Sequence, residues 1–414
     1  MYMYIRRNKE EKIRKLLELK EIVAVIGPRQ AGKTTIINKI LDEIKDKKIT
    51  RITFDNLEIL NEFESDLELF IEKYVLNSQI LFIDEVQYSK NSGQKLKYIY
   101  DTYKIKIVLS GSSATEISLN TSKYLVGRIF IIELLTLSFQ EFLFFKDAPL
   151  SKLLYSNSPL NPQRIQLCEK YLKEYLLFGG YPQVVLLEDE EIKFEALKNI
   201  YNTYLLKEIK EILQFSEYFK LDKVVKLLSS QVSNLVNVSQ LSNDTSLRIE
   251  EINSILFILE NTYIIKLLQP FYRNKHTELV KANKVYFFDL GLRNILLNIR
   301  SLSQITNLGE MYENVVLCEL IREDIDLKYW RNKSKSEVDF IVEVAHKVIP
   351  IEVKGRQNNT SLTRSYMSFI EKYDILEGFI FNLNLEDSRR VDEKTINFVT
   401  FYRGVREVLR VLKG

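Results

Sequence analysis

The sequence predicts an α/β protein of several domains: a doubly wound parallel-sheet core, a helical and winged-helix middle, and a C-terminal domain of mixed α/β structure. Three observations lead there. Short apolar runs alternate with amphipathic segments from Ile22 to about Phe130, which is the pattern of a parallel sheet covered by helices. From about residue 138 to residue 215 the chain turns to long helical runs rich in Tyr, Leu and Lys, and after about residue 300 strand-like alternation returns. The expected domains are 1–140, 141–215, 216–300 and 301–414.

Composition permits this and narrows the function. A chain of 414 residues with a hydrophobic fraction of 46% is large enough for several packed cores. Its 59 basic and 56 acidic side chains leave a formal charge of +3, so no overall field draws it to nucleic acid or to a membrane, and any nucleic-acid contact must use local patches. Cys168, Cys318, His276 and His346 are too few and scattered for a zinc site or a disulfide framework. No run of about 18 uncharged apolar residues occurs, and Met1–Arg7 lacks the apolar core of a signal peptide. A cytoplasmic location without membrane contact is expected.

The first domain should hold strands at Ile22–Ile26, Ile49–Phe54, Ile80–Asp84, Ile105–Ser110 and Ile129–Glu133. The first runs straight into a Gly-x-x-x-x-Gly-Lys-Thr phosphate-binding loop followed by a helical segment. A pattern of this kind arises by accident in a chain this long on the order of one time in a hundred. Without a Cβ at Gly27 and Gly32, main-chain N–H groups can approach a polyphosphate. The nucleotide contacts are then Gly27, Pro28, Arg29, Gln30, Ala31, Gly32, Lys33, Thr34 and Thr35, with Lys33 reaching the β and γ phosphates and Thr34 contributing its hydroxyl to Mg²⁺.

The third strand ends in Asp84-Glu85, two acids whose burial is costly unless they are used. Asp84 is expected to hold the Mg²⁺ and Glu85 to act as general base toward water. The strand Ile49–Phe54 leaves room for the extra central strand of the class that keeps a catalytic Glu beside the metal acid. The fourth strand ends in Ser110-Gly-Ser-Ser, where Ser112 is a candidate to sense the γ-phosphate, with a plain helix cap by Ser113 as the competing reading. Arg128 is a candidate to neutralise transition-state charge, in cis or across a subunit interface, or else a surface arginine. No Asn-Lys-x-Asp guanine-reading motif occurs, which favours ATP.

In the middle, Gly179-Gly180-Tyr181-Pro182 should interrupt the helices. Residues 219–290 have the order of a winged helix-turn-helix: a helix through Val224, Leu227 and Leu228, a second capped by Asn237, a third after Ser246, and a wing from Tyr263–Leu268 and Lys284–Phe288. With Ile249, Ile252, Leu256 and Leu259 turned inward, the outer face of the third helix carries Arg248, Glu250, Glu251, Asn253 and Glu260, a mostly acidic set that phosphates repel. A packing role suits it better than base reading.

A second candidate site lies near the end. Period-two geometry separates Asp339 from Val338 and Phe340, and sets Glu352 and Lys354 on one face. A hairpin turning near Ala345-His346-Lys347 brings Asp339 close to Glu352. Two carboxylates and a main-chain carbonyl make a hard-oxygen site for Mg²⁺ or Mn²⁺, Lys354 polarises water, and Glu313 on a preceding helix joins them. An exposed hairpin with alternating charges gives the same pattern. Arg322, Lys328, Arg331, Lys333, Lys335, Arg356 and Arg364 are the cations nearby in sequence that could track a nucleic-acid backbone.

Taken in order, these motifs resemble the AAA-type archaeal and bacterial ATPases whose C-terminal half is a domain of unknown function related to PD-(D/E)XK nucleases. The resemblance covers nearly the whole chain. It rests on Gly27–Thr35, Leu81–Gln87, Leu109–Ala114, Gly127-Arg128, Leu137–Phe142, Phe178–Pro182 and the stretch from Glu337 to Lys354. It implies an ATPase core, a winged-helix middle and a nuclease-like end, with Lys33, Thr34, Asp84 and Glu85 in nucleotide roles and Asp339, Glu352 and Lys354 at the nuclease positions. The functional expectation is a Mg²⁺-dependent ATPase that couples hydrolysis to its nuclease-like module and acts on DNA. Its rival is a nucleotide-dependent switch whose nuclease-like domain is inert and binds protein partners. Arg128 acting across an interface would make the protein a homo-oligomer.

Overall fold

The structure is a computed structural model that describes residues 4–112, 122–156, 161–205, 218–273, 278 and 281–413. Ser113 and the expected boundary at residue 215 lie outside the described residues. The chain forms two compact units: one runs to Leu137 and includes Ile258–Ile264, and the other comprises Ser138–Phe257 and the chain from Ile265 onward. Among the described residues no helix is long and apolar enough to cross a membrane.

The first unit is built on five parallel strands, β1 (Ile22–Ile26), β2 (Ile49–Thr53), β3 (Ile80–Asp84), β4 (Lys106–Gly111) and β5 (Ile129–Glu133), in the order β2-β3-β4-β1-β5. The strands fall within a residue of where the apolar runs place them. β1 is buried along its whole length, as expected of a strand with neighbours on both sides and helices on both faces. Its Val23 and Val25 join Ile36, Ile37 and Ile40 of the helix Lys33–Glu43 in one core cluster. That packing fixes the loop between strand and helix from both ends.

In the second unit the helix Pro162–Phe178 stops at Gly179, whose φ of +71° suits glycine. A Cβ there would lie 2.0 Å from Asp289 Oδ1, and Gly180 N–H donates to Asp289 Oδ2 at 2.8 Å. Asp289 also caps the helix Leu290–Leu296, so the Gly-Gly break is a docking point between two helices. Helices Tyr218–Ser229, Val238–Thr245 and Ile249–Asn261 precede an antiparallel pair, β6 (Ile265–Leu268) and β7 (Lys284–Phe287). Asn237 caps the second helix through Gln240 N–H. On the third, Ile252 and Leu256 are buried but Ile249 is 47% exposed. The inward placement of Ile249 is therefore corrected: it stands in the first turn, before the helix meets the core.

The C-terminal sheet has six strands, β8 (Lys328–Arg331), β9 (Glu337–Val344), β10 (Lys347–Val353), β11 (Gly378–Asn382), β12 (Asp387–Val391) and β13 (Lys394–Thr400), ordered β12-β13-β11-β10-β9-β8. β9 and β10 form the expected antiparallel hairpin, and β10, β11 and β13 run parallel. Trp330, Val338, Tyr366, Phe369 and Ile380 are among its core.

Candidate functional site

The loop after β1 has the backbone that its glycines were expected to allow. Gly27 has φ of +151°, and a Cβ there would lie 2.1 Å from the carbonyl oxygen of Leu134. Gly32, at φ of +89°, is the N-cap of the helix Lys33–Glu43 and offers no side chain to its first turn, leaving those N–H groups available to an anion. Lys33 is 5% exposed and its Nζ donates to the carbonyls of Gly27 at 3.0 Å and Pro28 at 2.8 Å. An arginine that sequence reasoning missed braces the loop from behind: Arg7 donates to Ala31 O at 2.7 Å and Leu135 O at 2.6 Å. Nothing distinguishes Arg7 from Arg6 in the sequence.

The register of the sheet sets the acidic pair of β3 beside this loop. Thr34 Oγ1 donates to the Asp84 carboxylate at 2.9 and 3.1 Å, and Ser110 Oγ, on the neighbouring β4, donates to the same group. Glu85 has a left-handed backbone, φ +53°, a conformation a non-glycine residue adopts at a cost of about 1–3 kcal/mol. Its carboxylate accepts a hydrogen bond from Gln87 Nε2, which also donates to Ser112 Oγ at 3.0 Å. Burial pushes the Glu85 carboxyl above its ordinary value, with the Gln87 amide, Lys33 and Arg29 opposing. Gln87 and Ser110 were not among the expected site residues, although both stand in the stretches that carry the resemblance.

Hydroxyl and carboxylate oxygens at Thr34 and Asp84 suit a Mg²⁺ ion, which takes hard oxygens and shares them with phosphates. Gln30 Oε1 and Gln87 Oε1 are buried acceptors that meet no donor among the described residues, as befits a place that receives a polar ligand. The residues at this site therefore fit the ion.

Arg128 requires a correction. Its backbone carbonyl accepts from Ile22 N–H, at the start of β1, whereas the phosphate loop follows the end of that strand. Five residues of strand, about 16 Å, separate the two edges, and the guanidinium is bound to Asp101 at 2.9 Å. It does not serve the loop of its own chain.

In the C-terminal sheet the structure brings Glu313, Asp339, Glu352 and Lys354 into one region. Asp339 Oδ2 accepts from Val353 N–H at 2.7 Å. Glu352 accepts from Thr363 Oγ1 at 3.0 Å and pairs with Lys354 at 2.5 Å. Glu313 accepts from Tyr286 OH and pairs with Lys284 Nζ at 3.3 Å. Beside Glu352 and Lys354 is a cavity of about 100 Å³, room for a few waters. Among the described residues no group of three or more His, Cys, Asp or Glu is placed to hold a metal ion. At Asp339 and Glu352, where Mg²⁺ or Mn²⁺ was expected, the carboxylate oxygens are engaged by donors of the protein. The expected basic track is also largely consumed: Arg322 pairs with Glu319, Lys328 with Glu278 and Glu343, Arg331 with Glu337, and Arg356 with Glu169.

Three family models match successive stretches of the chain. Residues 19–143 match the family described as AAA domain. The chain carries a P-loop ATPase-type domain. Residues 169–303 and 308–402 match two further families, each described only as a domain of unknown function (DUF8612 and DUF4143). An uncharacterized protein of Methanocaldococcus jannaschii is 28% identical over 84% of this chain and 78% of its own length. One of Haemophilus influenzae is 27% identical over 88% and 91%. Among solved structures, the Walker-type ATPase PABY2304 of Pyrococcus abyssi aligns over 71% of this chain and 96% of its own, at 16% identity and a TM-score of 0.48.

Proposed function

We propose that this P-loop domain is a Mg²⁺-dependent ATP hydrolase whose nucleotide state governs the rest of the chain. The observation that supports it best is the convergence of Thr34, Asp84, Glu85, Gln87 and Ser112 at the C-terminal ends of β3 and β4 beside the phosphate loop. Main-chain N–H groups from Arg29 to Thr34 cradle the phosphates, and Lys33 exchanges the carbonyls of Gly27 and Pro28 for β and γ phosphate oxygens. Thr34 and Asp84 would hold Mg²⁺, which when bound would supply charge neutralisation. Glu85 takes a proton from water as its oxygen attacks the γ phosphorus, the bond to the β–γ bridging oxygen breaks, and ADP leaves.

For the C-terminal domain, the engaged carboxylates favour the non-cleaving switch over the nuclease. DNA is the partner class to test first, through Lys333, Lys335 and Arg364, which are exposed. The acidic set Glu250, Glu251 and Glu260 on the third helix of the middle region speaks against base reading there.

Purified protein with labelled ATP and Mg²⁺ tests the hydrolase. Lys33→Ala should lose binding, while Glu85→Gln should keep it and lose about 10²–10⁴ in kcat. Equal turnover in wild type and Glu85→Gln rejects the general-base role. Incubation with linear and branched DNA should yield a shifted complex and no cleavage with either metal; cleavage lost in Asp339→Ala would reinstate the nuclease.

A further inference from the structure

The C-terminal carboxylates have a cation of their own, and it comes from outside the six-stranded sheet. Lys284 opens β7, the second strand of the wing, and is 2% exposed. Its Nζ lies 3.3 Å from Glu313 Oε1 and pairs with Glu337 as well. Tyr286, two residues along and therefore on the same face of the strand, donates its hydroxyl to the same Glu313 oxygen. The ring of Tyr329 lies 5.5 Å from Nζ and shields it. One short strand thus commits two side chains to a carboxylate assigned by sequence to catalysis.

The remaining groups are engaged in the same way. Glu337 also meets Arg331 at 3.6 Å, Glu352 holds Lys354 at 2.5 Å, and Asp339 accepts the Val353 N–H. Three cations face four carboxylates. A lysine buried this deeply persists only when it is paired; its charge acts on Glu313, Asp339 and Glu337 together, and a divalent cation drawn to Asp339 competes with it for the same negative field.

We propose that Lys284 is the resident cation of this cluster, supplying the charge a divalent metal would otherwise bring, so that Mg²⁺ or Mn²⁺ enters only when the β7 ammonium is removed. This concerns the C-terminal domain alone and stands whether or not the phosphate loop hydrolyses ATP.

Manganese binding decides it. The full chain, carrying Asp84→Asn so that the nucleotide site does not contribute, is titrated with Mn²⁺ in the absence of nucleotide, and free Mn²⁺ is read by its paramagnetic resonance signal. Lys284→Met and Lys284→Gln in that background should each bind one Mn²⁺ at least tenfold more tightly than the parent. Their melting temperatures should rise by several degrees with saturating Mn²⁺ while that of the parent does not move. Equal binding by parent and variants overturns the proposal, and so does absence of binding in folded variants. If a variant is unfolded without metal, refolding on Mn²⁺ addition supports the proposal and failure to refold in both variants overturns it.

Discussion

Gln87 donates from one amide nitrogen to Ser112 Oγ at 3.0 Å and to the Glu85 carboxylate. It therefore ties the residue just after β4, where a γ-phosphate would be sensed, to the residue expected to activate water. Replacing Gln87 by Ala cuts that tie without touching the phosphate loop. Turnover should fall about tenfold to a hundredfold, 1.4–2.7 kcal/mol of barrier, with the ATP dissociation constant within about threefold of wild type. Gln87→Glu should do worse, since a second carboxylate beside Glu85 repels it. A change in binding alone, with kcat intact, would reduce Gln87 to a structural role.

The pH profile of kcat/KM should carry the mark of Glu85. A general base acts when deprotonated, and burial moves the Glu85 carboxyl upward from its ordinary value. The acid limb should therefore rise at a pH above the usual carboxylate range, about 4.3, in measurements of the free enzyme's groups at limiting ATP. Glu85→Gln should abolish that limb, which separates it from the titration of ATP itself.

Gly27 is held by contact as well as by conformation. Its φ of +151° and the 2.1 Å between a built Cβ and Leu134 O mean that Gly27→Ala must push β5's exit away from the loop. The cost should be about 2 kcal/mol or more, seen as a melting temperature lowered by roughly 5 °C or more, with ATP binding lost in calorimetry. The change is local to the crevice because Leu134 N–H is bonded to Ile26 O at 2.7 Å.

How much of this could be read beforehand follows from the range of each interaction. Strands β1 and β3 lie where the apolar runs place them, because burial on both faces leaves a continuous local signature. The approach of Asp339 to Glu352 was legible too, since hairpin register follows from turn position. The in-cis role considered for Arg128 fails because neighbouring strands in a parallel sheet share a direction, so a residue before β5 belongs to the edge opposite the loop. Lys284 was invisible as a partner: it looked like the polar start of a wing, and only the fold sets it against Glu313, 29 residues away. Arg7 and Ala31 are related in the same non-local way.

A last expectation concerns stability. Glu319, on the helix Leu308–Arg322, is 16% exposed at its side chain and accepts from Phe139 N–H at 3.0 Å, with Arg322 at 3.1 Å. Burial lifts its carboxyl above the ordinary value, while the Arg322 guanidinium and the Phe139 N–H oppose, and Glu141 and Glu323 add to the rise. Because the folded state holds this proton more tightly than the unfolded chain does, its contribution is complete below the unfolded value, about 4.3. It is lost as pH climbs through the folded value. Urea unfolding of wild type across pH 4 to 7 should show this as a decline that Glu319→Gln removes, since the amide keeps the shape without the proton. If the two proteins decline in parallel, the carboxyl is ionised in the fold and the Arg322 pairing outweighs burial.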